Sequence, residues 1–240
     1  MSSQGPFAGQ LALVTGASRG IGAATAKALS AAGAHVILVS RAAKDLEKIE
    51  QEIFDAGGSA TIAPVDLAEA DSIARLATAI SGRWDALDIM VINAAAFPTL
   101  TPVWQIDPRE FNNALTLNVL ATQALLAGFD GMLRKSKDAR LIGVTSSVGA
   151  SPRAYWAAYG SSKAAFDVLL DCYGQEVRNT SAIRVAILDP GATRTKMRAK
   201  AYPGESPESV KPPEVVADRI VTLLGEQFAS PHRERVNHTS

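Results

Sequence analysis

Tyr159-Gly-Ser-Ser-Lys163 places a phenol and an amine four residues apart. On a helix, positions i and i+4 share a face. A free phenol, with a pKa of about 10, is a poor base at neutral pH, and a neighbouring ammonium favours the phenolate. The pair therefore suits general acid/base chemistry, in which a carbonyl and an alcohol interconvert. A pair on a helical surface is the plain alternative, and the spacing alone does not choose. Ser146 stands thirteen residues before Tyr159, in Val144-Thr-Ser-Ser-Val-Gly149. Its hydroxyl could polarise a substrate oxygen, with Ser147 as runner-up. Asn118, in Leu115-Thr-Leu-Asn-Val-Leu120, is a polar residue in an apolar run. A buried Asn needs partners, which a cap or a core network would also supply.

A second constellation lies near the start of the chain. Thr15-Gly-Ala-Ser-Arg-Gly-Ile-Gly22 carries glycines at 16, 20 and 22, between an apolar run and an alanine-rich one. Glycines let a backbone turn tightly and approach a pyrophosphate, while the following helix aims free N–H groups at it. The strand–turn–helix context is what separates this run from a helix start that happens to hold glycines. Ser40-Arg41 ends the second apolar run without an acid. An acid there accepts bonds from a ribose 2′-hydroxyl, whereas a basic residue accommodates a 2′-phosphate. Arg19 and Arg41 together suit a phosphate dianion, which favours NADP over NAD. The alternative leaves Ser40 as a local cap and Arg41 solvated.

The elements that must position these residues alternate. Strands are expected at Gln10–Thr15, His35–Ser40, Ser59–Val65, Leu87–Ile92, Arg140–Thr145 and Ala182–Leu188. Helices are expected from Gly22, at Ala42–Ala56, Ala70–Arg83, within Phe111–Arg134, at Ala157–Arg178 and at Glu214–Gly225. Such alternation predicts one α/β domain over 1–240, a doubly wound parallel sheet of six to seven strands with helices on both faces. Two irregular stretches, 96–104 and 193–213, follow strand ends, where open parallel sheets bind ligands. The second is expected to form a substrate loop, with connectors as the alternative. The first nine residues read as a loose leader.

Taken in order, the glycine-rich turn, Ser146, Tyr159 and Lys163 resemble the short-chain dehydrogenase/reductase family. The resemblance runs from Thr15 to Thr195. It implies hydride transfer between NADP(H) and a carbonyl or secondary alcohol. Tyr159 would pass the proton, Lys163 would lower its pKa and hold the ribose, Ser146 would orient the oxygen, and Asn118 would support a water. Cofactor contacts are implied for Gly16, Ser18, Arg19, Gly20, Ile21, Gly22, Ser40, Arg41, Asp66, Leu67, Asn93 and Ala94. They are implied also for Tyr159, Lys163, Pro190, Gly191, Thr193 and Thr195. The family usually has Asn-Asn-Ala-Gly where this chain has Ile92-Asn-Ala-Ala95, and it usually closes with a further strand and a glycine-rich tail. Here residues 230–240 are short and polar, so the seventh strand is expected to be clipped. A homodimer is expected, with a tetramer as the alternative.

Bulk properties agree with a small-molecule enzyme. The 240 residues carry 24 basic and 24 acidic side chains, giving zero formal charge. That offers no electrostatic footprint for nucleic acid or a membrane surface. Cys172 is the single cysteine, read as a buried structural thiol. No run approaches the roughly 18 apolar residues of a membrane span. These absences make the cytoplasm the expected compartment, and no metal site is expected. A non-catalytic NADP sensor or docking module, or an isomerase or dehydratase, are the rival readings. Phe97, Tyr155, Trp156, Met197 and Tyr202 are candidate pocket walls. Lys196, Arg198 and Lys200 could attract an anion, with solvated loop charges as the alternative.

Overall fold

The computed structural model describes residues 5–237. Seven parallel strands form one sheet in the order β3-β2-β1-β4-β5-β6-β7. They are β1 (Leu11–Thr15), β2 (His35–Ser40), β3 (Ser59–Pro64), β4 (Ile89–Ile92), β5 (Arg140–Val144), β6 (Arg184–Asp189) and β7 (His232–Arg235). Residues 11–14 of β1 are all buried, because helices cover both faces of the sheet. On one face Leu11 and Leu13 join α3 (Ser72–Ser81), α5 (Ala121–Lys135) and α7 (Ala157–Val177) through Leu76, Leu125, Phe129, Phe166 and Leu170. On the other, Ala12 and Val14 join α1 (Gly20–Ala31), α2 (Ala43–Asp55) and α9 (Pro213–Gly225) through Leu29, Leu46, Ile49, Val216 and Ile220. The period-two alternation of a strand thus feeds two cores.

Strand order reverses at β1, which pairs with β2 on one side and β4 on the other. Loops leaving the carboxyl ends of β1 and β4 must therefore part, which opens a crevice at that edge.

The short seventh strand falls within the six to seven expected, and three other features differ from expectation for physical reasons. The seventh strand is present, although its sequence is His-Arg-Glu-Arg. An edge strand needs no apolar pattern, and its charges find partners. Glu234 is paired with Arg219 of α9, and Arg233 with Asp167 and Asp171 of α7. The supposed leader is tied down: Phe7 is buried and its N–H donates to the Ala32 carbonyl at 2.9 Å. Residues 1–4 of that leader lie outside the described residues. The fourth helical stretch starts earlier than expected, as α4 (Pro108–Leu115), capped by the Asp107 carboxylate. It then passes through a π turn at Thr116–Leu120 before α5. Cys172 is exposed rather than buried. It lies four residues after the exposed Val168, on the outward face of α7, while Phe166, Leu170 and Tyr173 take the core.

The loop at 193–213 is also more ordered than its prolines suggest. It holds α8 (Lys196–Ala201) and a 3-10 turn at Pro207–Ser209, and Thr193 bridges to Lys211 in parallel register. α6 (Ser147–Ala150) is a short helix between β5 and α7.

Phe129 is fully buried between α5 and the sheet. Truncation to alanine is expected to cost about 3–5 kcal/mol, read as a lower urea midpoint with unchanged slope. A loss under about 1 kcal/mol would contradict a close-packed core on that face.

Candidate active site

The crevice at the switch point is a cleft of about 1340 Å³. Its floor is the glycine-rich turn. Gly16 has φ +68° and a Cβ there would stand 2.8 Å from Asn93 Nδ2, while a Cβ on Gly22 would meet the Gly16 carbonyl oxygen at 2.2 Å. Only glycine fits either place. Thr15, fully buried, ties the turn to β4: its hydroxyl accepts the backbone N–H groups of Asn93 (2.9 Å) and Ala94 (3.0 Å). The Asn93 amide returns a bond to the Thr15 carbonyl at 3.0 Å. Asn93 therefore braces the turn as well as lining the cleft. Above the turn, α1 begins at Gly20 with no side-chain cap and no acid in its first turn. Its end keeps N–H groups and positive dipole directed at the cleft, which suits an anion.

Ser18, Arg19, Gly20, Ile21, Ser40, Arg41, Asp66, Leu67 and Ala94 join Gly16 and Asn93 in the wall. Arg41 is solvated on its far side and sits 3.5 Å from the Asp66 carboxylate. Ser40 Oγ accepts the Ala42 N–H at 3.1 Å, so it also serves the local turn. A dinucleotide fits this donor set: a glycine cradle that any Cβ would fill, a free helix terminus, and two arginines at the adenosine end.

Tyr159 and Lys163 line the other end of the cleft, both from α7 and both buried. The Lys163 ammonium donates to the Val144 carbonyl at 2.8 Å and lies over the Phe166 ring at 4.3 Å. Burial pulls its pKa down to about 8, against the opposing charge of Asp167. Tyr159 differs from the expectation of a lowered pKa. Burial, with the charges of Asp189 and Asp167, pushes the phenol up. Its hydroxyl faces the Met197 sulfur at 3.8 Å.

Ser146 stands two residues beyond β5, in extended conformation immediately before α6. Glycines let α6 press on α7: a Cβ on Gly149 would stand 3.3 Å from Lys163 Cβ, and one on Gly160 would stand 3.0 Å from the Val148 carbonyl. Ser147 is already engaged, accepting from Arg153 at 3.2 Å. That leaves Ser146 as the better candidate of the two, although it lies outside the cleft wall proper.

Asn118 occupies the π turn and is buried. Its side chain exchanges two bonds with Ala96, accepting from the N–H at 2.7 Å and donating to the carbonyl at 3.0 Å, and donates to Ser162 Oγ at 2.9 Å. It thus clamps the loop after β4 to α7 rather than facing the cleft.

Beyond β6, Pro190 and Thr195 line the cleft, whereas Gly191 and Thr193 do not. Thr193 is buried, with its hydroxyl donated to the Pro190 and Gly191 carbonyls. Thr195 caps α8 through the Arg198 N–H.

α8 lies over Tyr159. Tyr202 packs on Trp156 at 5.8 Å, and Phe97 contacts both Trp156 and Tyr159. Of the five candidate walls Phe97 and Met197 line the cleft, and Tyr155 is exposed, with a left-handed backbone at φ +71°. Two of the three candidate anion-binding charges are used internally. Arg198 forms a two-pronged pair with Glu205 and stacks on Tyr202, and Lys200 donates to the Phe97 carbonyl. Lys196 remains exposed in the cleft wall.

The sequence model of the family described as short chain dehydrogenase matches residues 10–206. The chain belongs to the short-chain dehydrogenase family. It is 31% identical over 220 residues to the uncharacterized oxidoreductase YciK of Escherichia coli K12, covering 90% of this chain and 86% of that one. A putative short chain dehydrogenase from Pseudomonas syringae superposes with a TM-score of 0.91 at 35% identity, covering 95% and 94%. A putative short chain dehydrogenase of Escherichia coli CFT073, complexed with NADPH, gives 0.86 at 31%, covering 94% and 96%. Several such neighbours were solved with NADP or NADPH. This short-chain dehydrogenase is accordingly an oxidoreductase.

Sequence reasoning missed the Thr15 clamp, Met197 against Tyr159, and two buried charges: Asp167, and Lys211 beneath the turn after β6. Only Asp167 left a signal, its place four residues after Lys163.

Thr15→Val keeps the shape but orphans two part-buried N–H groups. A loss of about 1–3 kcal/mol for each is expected on urea unfolding, with Thr15→Ser close to wild type. Equal stability of the Val and wild-type chains would refute the clamp.

Proposed function

We propose that this short-chain dehydrogenase transfers a hydride between NADP(H) and a carbonyl or secondary alcohol. The observation that carries this reading is that Tyr159 and Lys163 share a buried wall of the same cleft whose other end is the glycine-rich turn. A nicotinamide held there would supply or accept the hydride. The residues of the chain handle everything else.

Tyr159 holds the proton at its phenolic oxygen and passes it to the carbonyl oxygen. Burial and two carboxylates keep the phenol protonated in this closed arrangement, which suits a proton donor. The substrate oxygen takes the position that the Met197 sulfur holds against the hydroxyl. Ser146 orients that oxygen. Lys163, charged below about pH 8, holds the ribose and favours the phenolate left after transfer. Asn118 fixes the spacing between the loop at Ala96 and α7. Residues 193–213 act as a substrate lid that excludes water, closed by Met197, Tyr202 and the Lys200 bond to Phe97.

Arg41 turns from Asp66 to the 2′-phosphate, with Arg19 opposite. The exposed, single-contact pairing of Arg41 leaves it free to do so. Neighbours crystallised with NADP support the preference.

Tyr159→Phe is expected to lower kcat about a hundred- to ten-thousand-fold in a panel of ketones and alcohols followed by nicotinamide absorbance. NADPH affinity, read by fluorescence, should be nearly unchanged. Turnover that survives the substitution would sink the assignment. Arg41→Asp should weaken NADPH binding about ten- to a hundredfold and shift preference towards NADH. A wild-type kcat/KM as high with NADH as with NADPH would overturn the cofactor reading.

A further inference from the structure

Tyr159, Lys163 and Asp167 form one stripe along α7, at intervals of four. The chemistry above uses the first two. Asp167 is only 5% exposed, and a buried carboxylate is costly unless paired and hydrogen-bonded. Both oxygens are engaged. One accepts the Thr145 hydroxyl, and the other accepts Arg233 Nη1 of β7 at 3.0 Å. The second Arg233 nitrogen donates to Asp171 on the next turn of α7. Thr145 is itself buried, and its N–H donates to the Leu188 carbonyl at 2.9 Å. The next residue is Ser146, and the residue before it supplies the carbonyl that Lys163 holds. One carboxylate therefore joins α7, the end of β5 and β7 directly behind the reacting residues.

We propose that Asp167, with Arg233 as its partner, is a positioning residue: it supplies the counter-charge to Lys163 and anchors the strand end that presents Ser146. The proposal rests on the reading of Tyr159 and Lys163 as the proton-handling pair. Its consequences reach the molecule even without substrate.

The groups around Lys163 can be named by element. From α7 come Tyr159, Asp167 and the Phe166 ring; from β5, the Val144 carbonyl. Arg233 of β7 and Asp171 flank Asp167. Asp189 of β6 acts on Tyr159, and Lys211 faces Asp189. Of these, Asp167 opposes the desolvation that brings Lys163 to about 8. In the unfolded chain the lysine keeps its ordinary value of 10.5. Between those values the unfolded chain binds more protons, so the Lys163 contribution to stability rises with pH across that window. Below about 8 the full cost of the buried ammonium is present. Loss of the Asp167 charge lowers the folded value further, and the rise then begins at a lower pH.

The test is urea unfolding of the full chain as a function of pH, for wild type, Asp167→Asn, Lys163→Met and the double variant. In Asp167→Asn the onset of the rise should move down by about one pH unit or more, as expected for loss of a close opposite charge. In both Lys163→Met chains the Lys163 rise should be absent and Asp167→Asn should produce no shift. Asp167→Glu keeps the charge and should keep the wild-type onset. Should Asp167→Asn not fold, Asp167→Asn with Arg233→Gln removes the partner's charge as well and carries the same expectation.

An unmoved onset, or a shift that persists without Lys163, overturns the counter-charge. In the kinetic arm, Thr145→Val should lower kcat with little change in the KM for NADPH, and Thr145→Ser should restore it. An unchanged kcat in Thr145→Val overturns the anchor. A wild-type chain inactive on every carbonyl and alcohol would count against the proposed function, while the unfolding comparison would still decide the Asp167 proposal.

Discussion

The buried hydroxyl of Thr15 is the point on which the cleft depends. At the switch in strand order β1 and β4 remain neighbours, but their loops must turn to opposite sides. The last backbone groups of β4 then face a partner that has already turned away. Thr15 Oγ1 accepts from Asn93 and Ala94, and Asn93 closes the exchange by donating to the Thr15 carbonyl. A short side chain thus replaces the missing ladder bonds, and the two loops diverge without orphaned N–H groups. Everything that lines the cleft is placed from there. Gly16 and Gly22 pack against Asn93 so closely that neither tolerates a Cβ. The loop after Ala94 reaches Ala96, where Asn118 takes hold of it.

A second constraint is the burial of charge. Among the described residues, Lys163, Asp167, Lys211 and Arg140 are all nearly inaccessible, and each charge has found oxygen or nitrogen partners. Three of them sit at the carboxyl ends of β5 and β6 or on the helix that follows. Low dielectric makes such groups expensive when alone and strong when paired. The same burial that lowers Lys163 raises Tyr159. The phenol therefore stays protonated, while the lysine keeps its charge below about pH 8 with Asp167 opposing its desolvation.

The sheet was legible because its signals are local: apolar runs of strand length, alternating with helical stretches, leave few arrangements. The glycine-rich turn and the Tyr159–Lys163 spacing were legible for the same reason, since each lies within one turn of chain. What escaped is non-local or polar. β7 was legible only as a clipped seventh strand, because this edge strand is stabilised by ion pairs to α7 and α9 rather than by apolar faces. Cys172 looked buried because α7 is apolar over most of its length, and only the packing chooses which face turns outward. Asn118 was recognisable as a polar residue needing partners, but not that a π turn aims both ends of its amide at Ala96 and Ser162. Tyr155 was a candidate pocket wall, yet it is exposed, on a left-handed backbone that its sequence does not announce.

The proposed lid at 193–213 obeys the same logic of exchangeable contacts. Met197 sits on the Tyr159 hydroxyl at a distance where sulfur is a weak acceptor. Tyr202 and Phe97 cover Trp156, and Lys200 donates to a backbone carbonyl at the surface. None of these contacts is a buried ion pair, so each can be released without stranding a charge. The firm anchors lie at the base of the segment, where Lys211 donates to Ala192 and its carbonyl accepts the Arg194 N–H. A segment pinned at its root by a buried lysine and held at its tip by a thioether and aromatic edges can move where the substrate oxygen must go. It does so without disturbing the turn after β6, which brings Pro190 into the cleft wall.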